Sequence, residues 1–240
     1  MLKYENLKQK PREFLAATGL TYEEFAIVLP NFQSAYELLY PRNLTFDGQA
    51  RTRAEGAGVK GSLSKSEDRL MFILVYHKTN PLQTMHGLQS GLSQSQTNYW
   101  IHRLLPVLQE TLAFIGMKPE RDGRLVATAP STLTGGANLA IDGTERRHQR
   151  PADPIKQREK YSGKKKAHTD KNILLVNENT RRVVYLSPTV EGKKHDSKAA
   201  KEALIRYRVN ATLDKDTGFQ GYEPEGVLTK QPKKKRKVKS

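Results

Sequence analysis

The apolar pattern of this chain changes period once, and that change limits what it can fold into. Before residue 117 the large apolar side chains recur at helical spacing. After residue 137 they gather into short runs of three or four. Between them, residues 117–137 (MKPERDGRLVATAPSTLTGGA) hold two Pro, three Gly and several Ser and Thr. That is the composition of a connection rather than of an element. The expected class is α+β overall, with an all-α N-terminal part followed by a sheet-containing part.

The N-terminal part subdivides further. Residues 1–63 read as short helices followed by a Gly-rich basic linker, and 64–116 as a second helical group. Leu7, Phe14 and Leu15 are spaced for one helix face, and Thr21 with Glu24 forms a capping-box pattern ahead of Phe25, Ile27, Val28 and Leu29. Residues 47–63 are nearly free of large apolar side chains. Ser64 is expected to cap a helix carrying Leu70, Met71, Ile73, Leu74 and Val75. A short helix follows Pro81 over 82–89, Gly91 breaks the chain, and Ser93 with Gln96 caps a longer helix. Pro106 is expected to kink or divide that helix.

A short helix, a Gly-containing turn and a capped second helix make the pattern of a helix-turn-helix. The second helix opens on Ser93, Gln94, Ser95, Gln96, Thr97 and Asn98. Short polar side chains there suit phosphates and base edges, with Gln and Asn matched to adenine. The candidate DNA-binding set in this region is Ser93, Gln94, Gln96, Thr97, Asn98 and Arg103, while Tyr99, Trp100 and Leu104 are expected to face the core. The same pattern also fits an ordinary helical hairpin.

Beyond the connection, Leu139–Ile141, Ile173–Val176, Val183–Leu186 and Ala211–Leu213 read as strands, and Ser197–Val209 as a helix. The order is strand, strand, strand, helix, strand, with NENTRR suited to a hairpin turn. Asp142 ends the first strand and is followed by Gly143. Asp216 follows the fourth strand, two residues before Gly218. If those strands are neighbours, two carboxylates meet, which are the hard oxygen donors that Mg²⁺ takes. As turn formers beside Gly they would carry no such role.

Composition narrows the partners. Lys and Arg number 41 against 25 acidic residues, a formal charge of +16, which favours polyanions through steering and counterion release. Residues 143–171 alone hold ten basic and four acidic side chains. Arg146, Arg147, Lys164, Lys165 and Lys166 in that stretch are candidate phosphate contacts. The sequence contains no Cys, which excludes disulfides, Cys-ligated zinc and thiol catalysis. No apolar run approaches the roughly 20 residues of a membrane span, and the charged N-terminus lacks a signal core. The expected location is cytoplasmic, at the nucleoid.

The segments AIDGTERRHQRP, KYSGKKKAHTDKNILLVN, VEGKKHDSKA and DTGFQGY resemble those of DDE-type insertion-sequence transposases. The nearer likeness is to the DDE-superfamily endonucleases whose core follows a helix-turn-helix. The resemblance covers about residues 64–228. It implies an RNase H-like domain over 138–228, with Asp142 and Asp216 as catalytic, metal-binding residues for Mg²⁺ or Mn²⁺. It also implies double-stranded DNA as partner (element ends and target) and a homo-oligomer when complete. Asp196 matches a recurrent family position and is expected to support the ligands or cap a helix. Asp214 competes for the second ligand position, but the spacing of Asp216 to Gly218 and Gly221 fits the motif.

The family's third carboxylate is a Glu on a helix well downstream. Here only Glu223 and Glu225 follow, in GYEPEG. The RNase H-like domain is therefore expected to be incomplete, and this chain inactive in cleavage by itself. The alternative is a non-catalytic DNA-binding regulator of transposition. The basic tail, 229–240, contains PKKKRKV, the composition of a nuclear import signal, which the bacterial resemblance sets aside. Its Lys run implies an A-rich message, and some related elements join two reading frames by slippage at such a run.

Overall fold

A computed structural model describes residues 2–44, 48–52, 61–129 and 138–232. The chain divides into two compact units, Met1–Ile115 and Gly116–Ser240. The N-terminal unit holds helices α1 (Tyr4–Leu7), α2 (Pro11–Thr18), α3 (Tyr22–Leu39), α4 (Ser66–Thr79), α5 (Gln83–Ser90) and α6 (Gln94–Phe114). Among the described residues no helix is long and apolar enough to cross a membrane.

Local chemistry sets where these helices begin. Thr21 Oγ1 accepts from the Glu24 N–H at 3.2 Å, and Glu24 Oε2 accepts from the Thr21 N–H at 2.8 Å. This reciprocal pair opens α3 as the sequence leads one to expect. Ser93 and Gln96 open α6 in the same way. Gly91, at φ 68° in the left-handed region, closes α5 and turns the chain into α6. Gly87 lets the two helices meet: a Cβ there would lie 2.6 Å from Leu92 O and from Thr97 Oγ1.

The core of this unit joins Phe14, Phe25, Phe32, Leu70, Ile73, Leu104 and Val107. These side chains come from α2, α3, α4 and α6, so helices on both sides of the Gly-rich stretch share one interior. Residues 47 and 53–60 of that stretch lie outside the described residues.

Three local expectations fail. Leu15 is exposed while its partners on the expected face turn inward, Phe14 fully and Leu7 partly. The cap of α4 is Lys65 rather than Ser64, and it makes no side-chain capping bond. Tyr99 is exposed, because it sits on the outer side of α6 while Ile101 and Leu104 point inward. Of the two outcomes expected at Pro106, division is excluded, since α6 runs unbroken through it.

The C-terminal unit carries strands β1 (Asn138–Arg147), β2 (Tyr161–Ser162), β3 (Ala167–Asn177), β4 (Arg182–Leu186), β5 (Val190–Glu191), β6 (Thr212–Lys215) and β7 (Leu228–Lys230). Its helices are α7 (Pro154–Lys160) and α8 (Asp196–Glu202). The main path of the mixed sheet runs β2, β3, β1, β6, β7, and β4 and β5 also pair with β3. β1 is antiparallel to β3 on one side and parallel to β6 on the other. Leu139, Ile141, Ile173, Leu175, Val184, Leu213 and Phe219 form the core with Ala199 and Ala200 of α8.

The expected order of three strands, a helix and a strand is present within this set, but two boundaries move. β1 and β3 continue past their apolar runs as a long ribbon, pairing as far as Arg147 with Thr169. The helix expected over 197–209 ends at Glu202. Leu204 takes a φ of 49° and the Arg206 N–H bonds to Gly123 O, so the chain leaves the helix to pack along the 3-10 turn Gly123–Thr128. Val126 of that turn is buried in the same core. Residues 130–137 and 233–240, the latter most of the basic tail, lie outside the described residues.

Candidate active site and candidate DNA contacts

Alternation along β1 buries Leu139 and Ile141 and leaves Asp142 exposed at the point where the strand passes beyond β6. In the parallel register Ala140 stands beside Asp214 and Ile141 beside Lys215. The parallel pairing stops there, one residue before Asp142 on β1 and one residue before Asp216, the first residue after β6. Asp142 lies within β1, which continues to Arg147 beside β3. Asp142 Oδ1 accepts its neighbour Gly143 N–H at 2.7 Å, and Asp216 Oδ1 accepts the Gly218 N–H at 2.8 Å. The second oxygen of each makes no hydrogen bond among the described residues.

Two exposed, acceptor-only carboxylates of this kind fit a hard cation that keeps several of its own waters. Among the described residues, no three His, Asp or Glu side chains stand close enough to hold one metal ion together. Glu223 is engaged elsewhere. It pairs with the buried Lys215 and accepts from Thr229 Oγ1, and first Lys215, then Thr229, holds its carboxyl below the usual value. Lys215 Nζ also donates to Tyr222 O at 2.6 Å.

Behind the Asp pair lies a charged network that the sequence did not reveal. Lys171, in the middle of β3, has a buried side chain and stands 2.7 Å from Asp196 Oδ1 and 3.5 Å from Glu145 Oε1. Its ammonium also donates to Lys194 O at 2.7 Å. Glu145 sits opposite Lys171 in the β1–β3 register and accepts from Thr169 Oγ1 at 3.0 Å. Burial pushes the Glu145 carboxyl up, but the Ser162 and Thr169 hydroxyls and the Lys171 charge outweigh it and hold it below the usual carboxylate value. Asp196 is the first residue of α8, after His195 at the cap position, which makes no side-chain capping bond. In the sequence Glu145 and Lys171 lie outside the apolar runs, in so basic a stretch that both read as surface charge.

The basic candidates of this unit cluster at the far end of the ribbon. Arg146 and Arg147 end β1 opposite Asp170 and Thr169. Lys164, Lys165 and Lys166 are exposed in the turn between β2 and β3, beside the start of β3. The five positions between Asp142 and Arg147 correspond to about 17 Å of strand. Arg146 makes only a long contact, 3.5 Å, to Thr189 Oγ1.

In the N-terminal unit, Ser93, Gln94 and Gln96 are exposed at the start of α6, but Ser93 and Gln96 spend polar groups on each other in the capping box. Gln94 Nε2 and Asn98 Nδ2 both donate to Gln83 Oε1 of α5, at 2.8 and 3.3 Å. These two side chains are thus occupied internally as well. Thr97 is fully buried and donates to Ser93 O at 2.8 Å, so it packs α6 against α5 and offers nothing to DNA. Arg103 stacks 3.7 Å from the Tyr40 ring centroid and donates to the Tyr36 and Tyr99 hydroxyls.

Fold and site together give a two-unit α+β chain with a mixed sheet, in which Asp142 lies within β1 and Asp216 directly follows the neighbouring strand β6. Residues 141–239, which span both Asp residues, match the family described as DDE superfamily endonuclease, whose members generally depend on a divalent metal ion. A probable transposase for insertion sequence element IS702 from Microchaete diplosiphon is 25% identical over 173 residues, covering 72% of this chain and 59% of that relative. The chain thus spans about three-fifths of the length of the curated relative it matches. No solved structure matches it. Both findings bear out the resemblance to DDE-type insertion-sequence transposases that the sequence motifs carry.

Proposed function

We propose that this chain acts in DNA transposition: the N-terminal unit grips an element end, and the C-terminal unit presents Asp142 and Asp216 to a divalent ion, Mg²⁺ or Mn²⁺. The observation that carries the reading is the parallel pairing of β1 with β6, whose last pair, Ile141 with Lys215, immediately precedes Asp142 on one strand and Asp216 after the other. It is supported by β1, β3 and β4 forming an antiparallel set with β6 returning parallel to β1 after α8, the arrangement that the RNase H-like reading calls for. A divalent ion bound by carboxylates activates a water and stabilises the leaving oxygen in phosphodiester cleavage. Asp142, exposed within β1, and Asp216, exposed just after β6, would hold that ion, while Arg146, Arg147 and Lys164–Lys166 would take phosphates farther along the ribbon and position the strand without reading its sequence.

Metal binding tests the first half. Calorimetric titration of the 240-residue chain with Mn²⁺ is expected to show one weak site, abolished in Asp142→Asn and in Asp216→Asn. A chain that binds element-end DNA but takes up no Mn²⁺ would instead be a DNA-binding regulator.

The second half rests on the α5–α6 pair as a helix-turn-helix, with Ser93, Gln94, Gln96 and Asn98 exposed or half-exposed at the start of α6. Replacing Gln94 and Asn98 together by Ala is expected to lower the preference for the element's end by about 1–3 kcal/mol for each side chain that hydrogen-bonds a base edge. Gel-shift titrations against specific and unrelated duplexes measure it. An unchanged ratio would remove α6 from the interface.

A further inference from the structure

We infer that Asp196, clamped by the buried Lys171, is the positioning residue that fixes the distance between the Asp142 and Asp216 segments. The inference rests on the proposed metal role of those two Asp residues. Three separate elements meet at the Asp196 carboxylate. A Cβ placed on Gly143, the residue after Asp142, would lie 2.9 Å from Asp196 Oδ1. A Cβ on Gly218 would lie 2.9 Å from Asp196 Oδ2 and 3.0 Å from Asp216 Oδ1. Asp196 thus fills the space between the two ligand-bearing segments, and the absence of side chains at 143 and 218 is what lets it enter. One oxygen faces each segment.

The carboxylate is held from behind. Lys171 Nζ stands 2.7 Å from Asp196 Oδ1, and its remaining contacts, to Glu145 and to Lys194 O, belong to β1 and to the turn before α8. This ties β1, β3 and the start of α8 to one ammonium. Such a buried network is a poor way to gain stability, since desolvation consumes most of the Coulomb attraction. It is a way to hold a geometry, because the ammonium that pairs with Asp196 is itself held by Lys194 O and by Glu145, which Thr169 fixes in turn. Outer contacts raise metal affinity by orienting ligands; here Asp196 would do so through the backbone of Gly143 and Gly218, next to Asp142 and two residues from Asp216.

The test is a Mn²⁺ titration of the 240-residue chain and of folded variants, with circular dichroism confirming the fold. Asp196→Asn keeps the shape and removes the charge that Lys171 grips, and the affinity is expected to fall about 10–100-fold. Asp196→Glu restores the charge, but its extra methylene has no room between the two glycines, so the affinity is expected to stay low. Gly143→Ala pushes on the same carboxylate, its Cβ meeting Asp196 atoms first, and serves where Asp196→Asn does not fold; the same fall is expected. Unchanged affinity in folded Asp196→Asn or in Gly143→Ala overturns the inference, as does full rescue by Glu, which would show that charge alone matters. In either case binding that still depends on Asp142 leaves the metal role of the Asp pair standing. If the unaltered chain takes up no Mn²⁺, that metal role fails first and the inference falls with it.

Discussion

Replacing Gly192 by Ala is expected to destabilise the C-terminal unit by about 2–3 kcal/mol, the upper part of the range for overpacked interiors. The added methyl would lie 1.9 Å from Thr169 Oγ1 and 2.7 Å from Thr169 O. Neither atom can move cheaply. The carbonyl accepts the Gly192 N–H at 2.9 Å, and the hydroxyl donates to Glu145 at 3.0 Å. Thr169 is itself buried, next to the β5 pairing of Asp170 with Glu191 and Lys171 with Val190. Relief requires either peeling β5 from β3 or rotating Thr169 away from Glu145, and the second leaves a buried carboxylate one donor short. Urea unfolding should show a lower midpoint at an unchanged slope. A change below about 0.5 kcal/mol, the usual bound for surface substitutions, would mean that Gly192 is not enclosed.

What the sequence reveals divides along physical lines. The two capping boxes, Thr21–Glu24 and Ser93–Gln96, are readable because they close within four residues and need no tertiary partner. The apolar runs at 139–141, 173–176 and 183–186 mark strands because those segments bury side chains in the core. The outer halves of β1 and β3 are not readable. There the ribbon is held by backbone hydrogen bonds, and its side chains, Glu145, Arg146, Arg147, Asp170 and Lys171, look like solvated charge. The helix expected over Ser197–Val209 is too long because its residues favour helix, whereas a tertiary bond from Arg206 to Gly123 ends it. At the candidate site, Asp142 and Asp216 stand out because each lies close to Gly beyond an apolar run. Their register does not follow from those runs, and neither does the part of Asp196, whose partner Lys171 lies 25 residues away in sequence and on another strand. Thr97 misleads because a polar residue at a helix start reads as surface; here its hydroxyl is satisfied within its own helix by Ser93 O.

Phe219→Ala is expected to be the most damaging single change near the candidate site, costing about 3–5 kcal/mol, the range for a large aromatic removed from an interior. Phe219 is fully buried and packs in the same core as Leu213 and Tyr222. It also closes the short 3-10 turn Thr217–Phe219 that begins at Asp216. Its N–H bonds to Asp216 O at 3.2 Å, its carbonyl accepts from the Tyr222 N–H at 3.0 Å, and Asp216 Oδ1 accepts from Gly218 between them. The ring is therefore the anchor that keeps the Asp216 backbone at the end of β6. A destabilisation of this size is a large share of the roughly 5–15 kcal/mol that holds a typical domain together. Thermal unfolding should show a pronounced fall for Ala and a smaller one for Phe219→Leu, which keeps most of the buried volume. Where the Ala chain still folds, its affinity for Mn²⁺ should drop with the loosened turn, while the Leu chain stays near the unaltered value. A folded Phe219→Ala chain with unaltered Mn²⁺ affinity would show that the turn holds Asp216 through its own hydrogen bonds, with no help from the core.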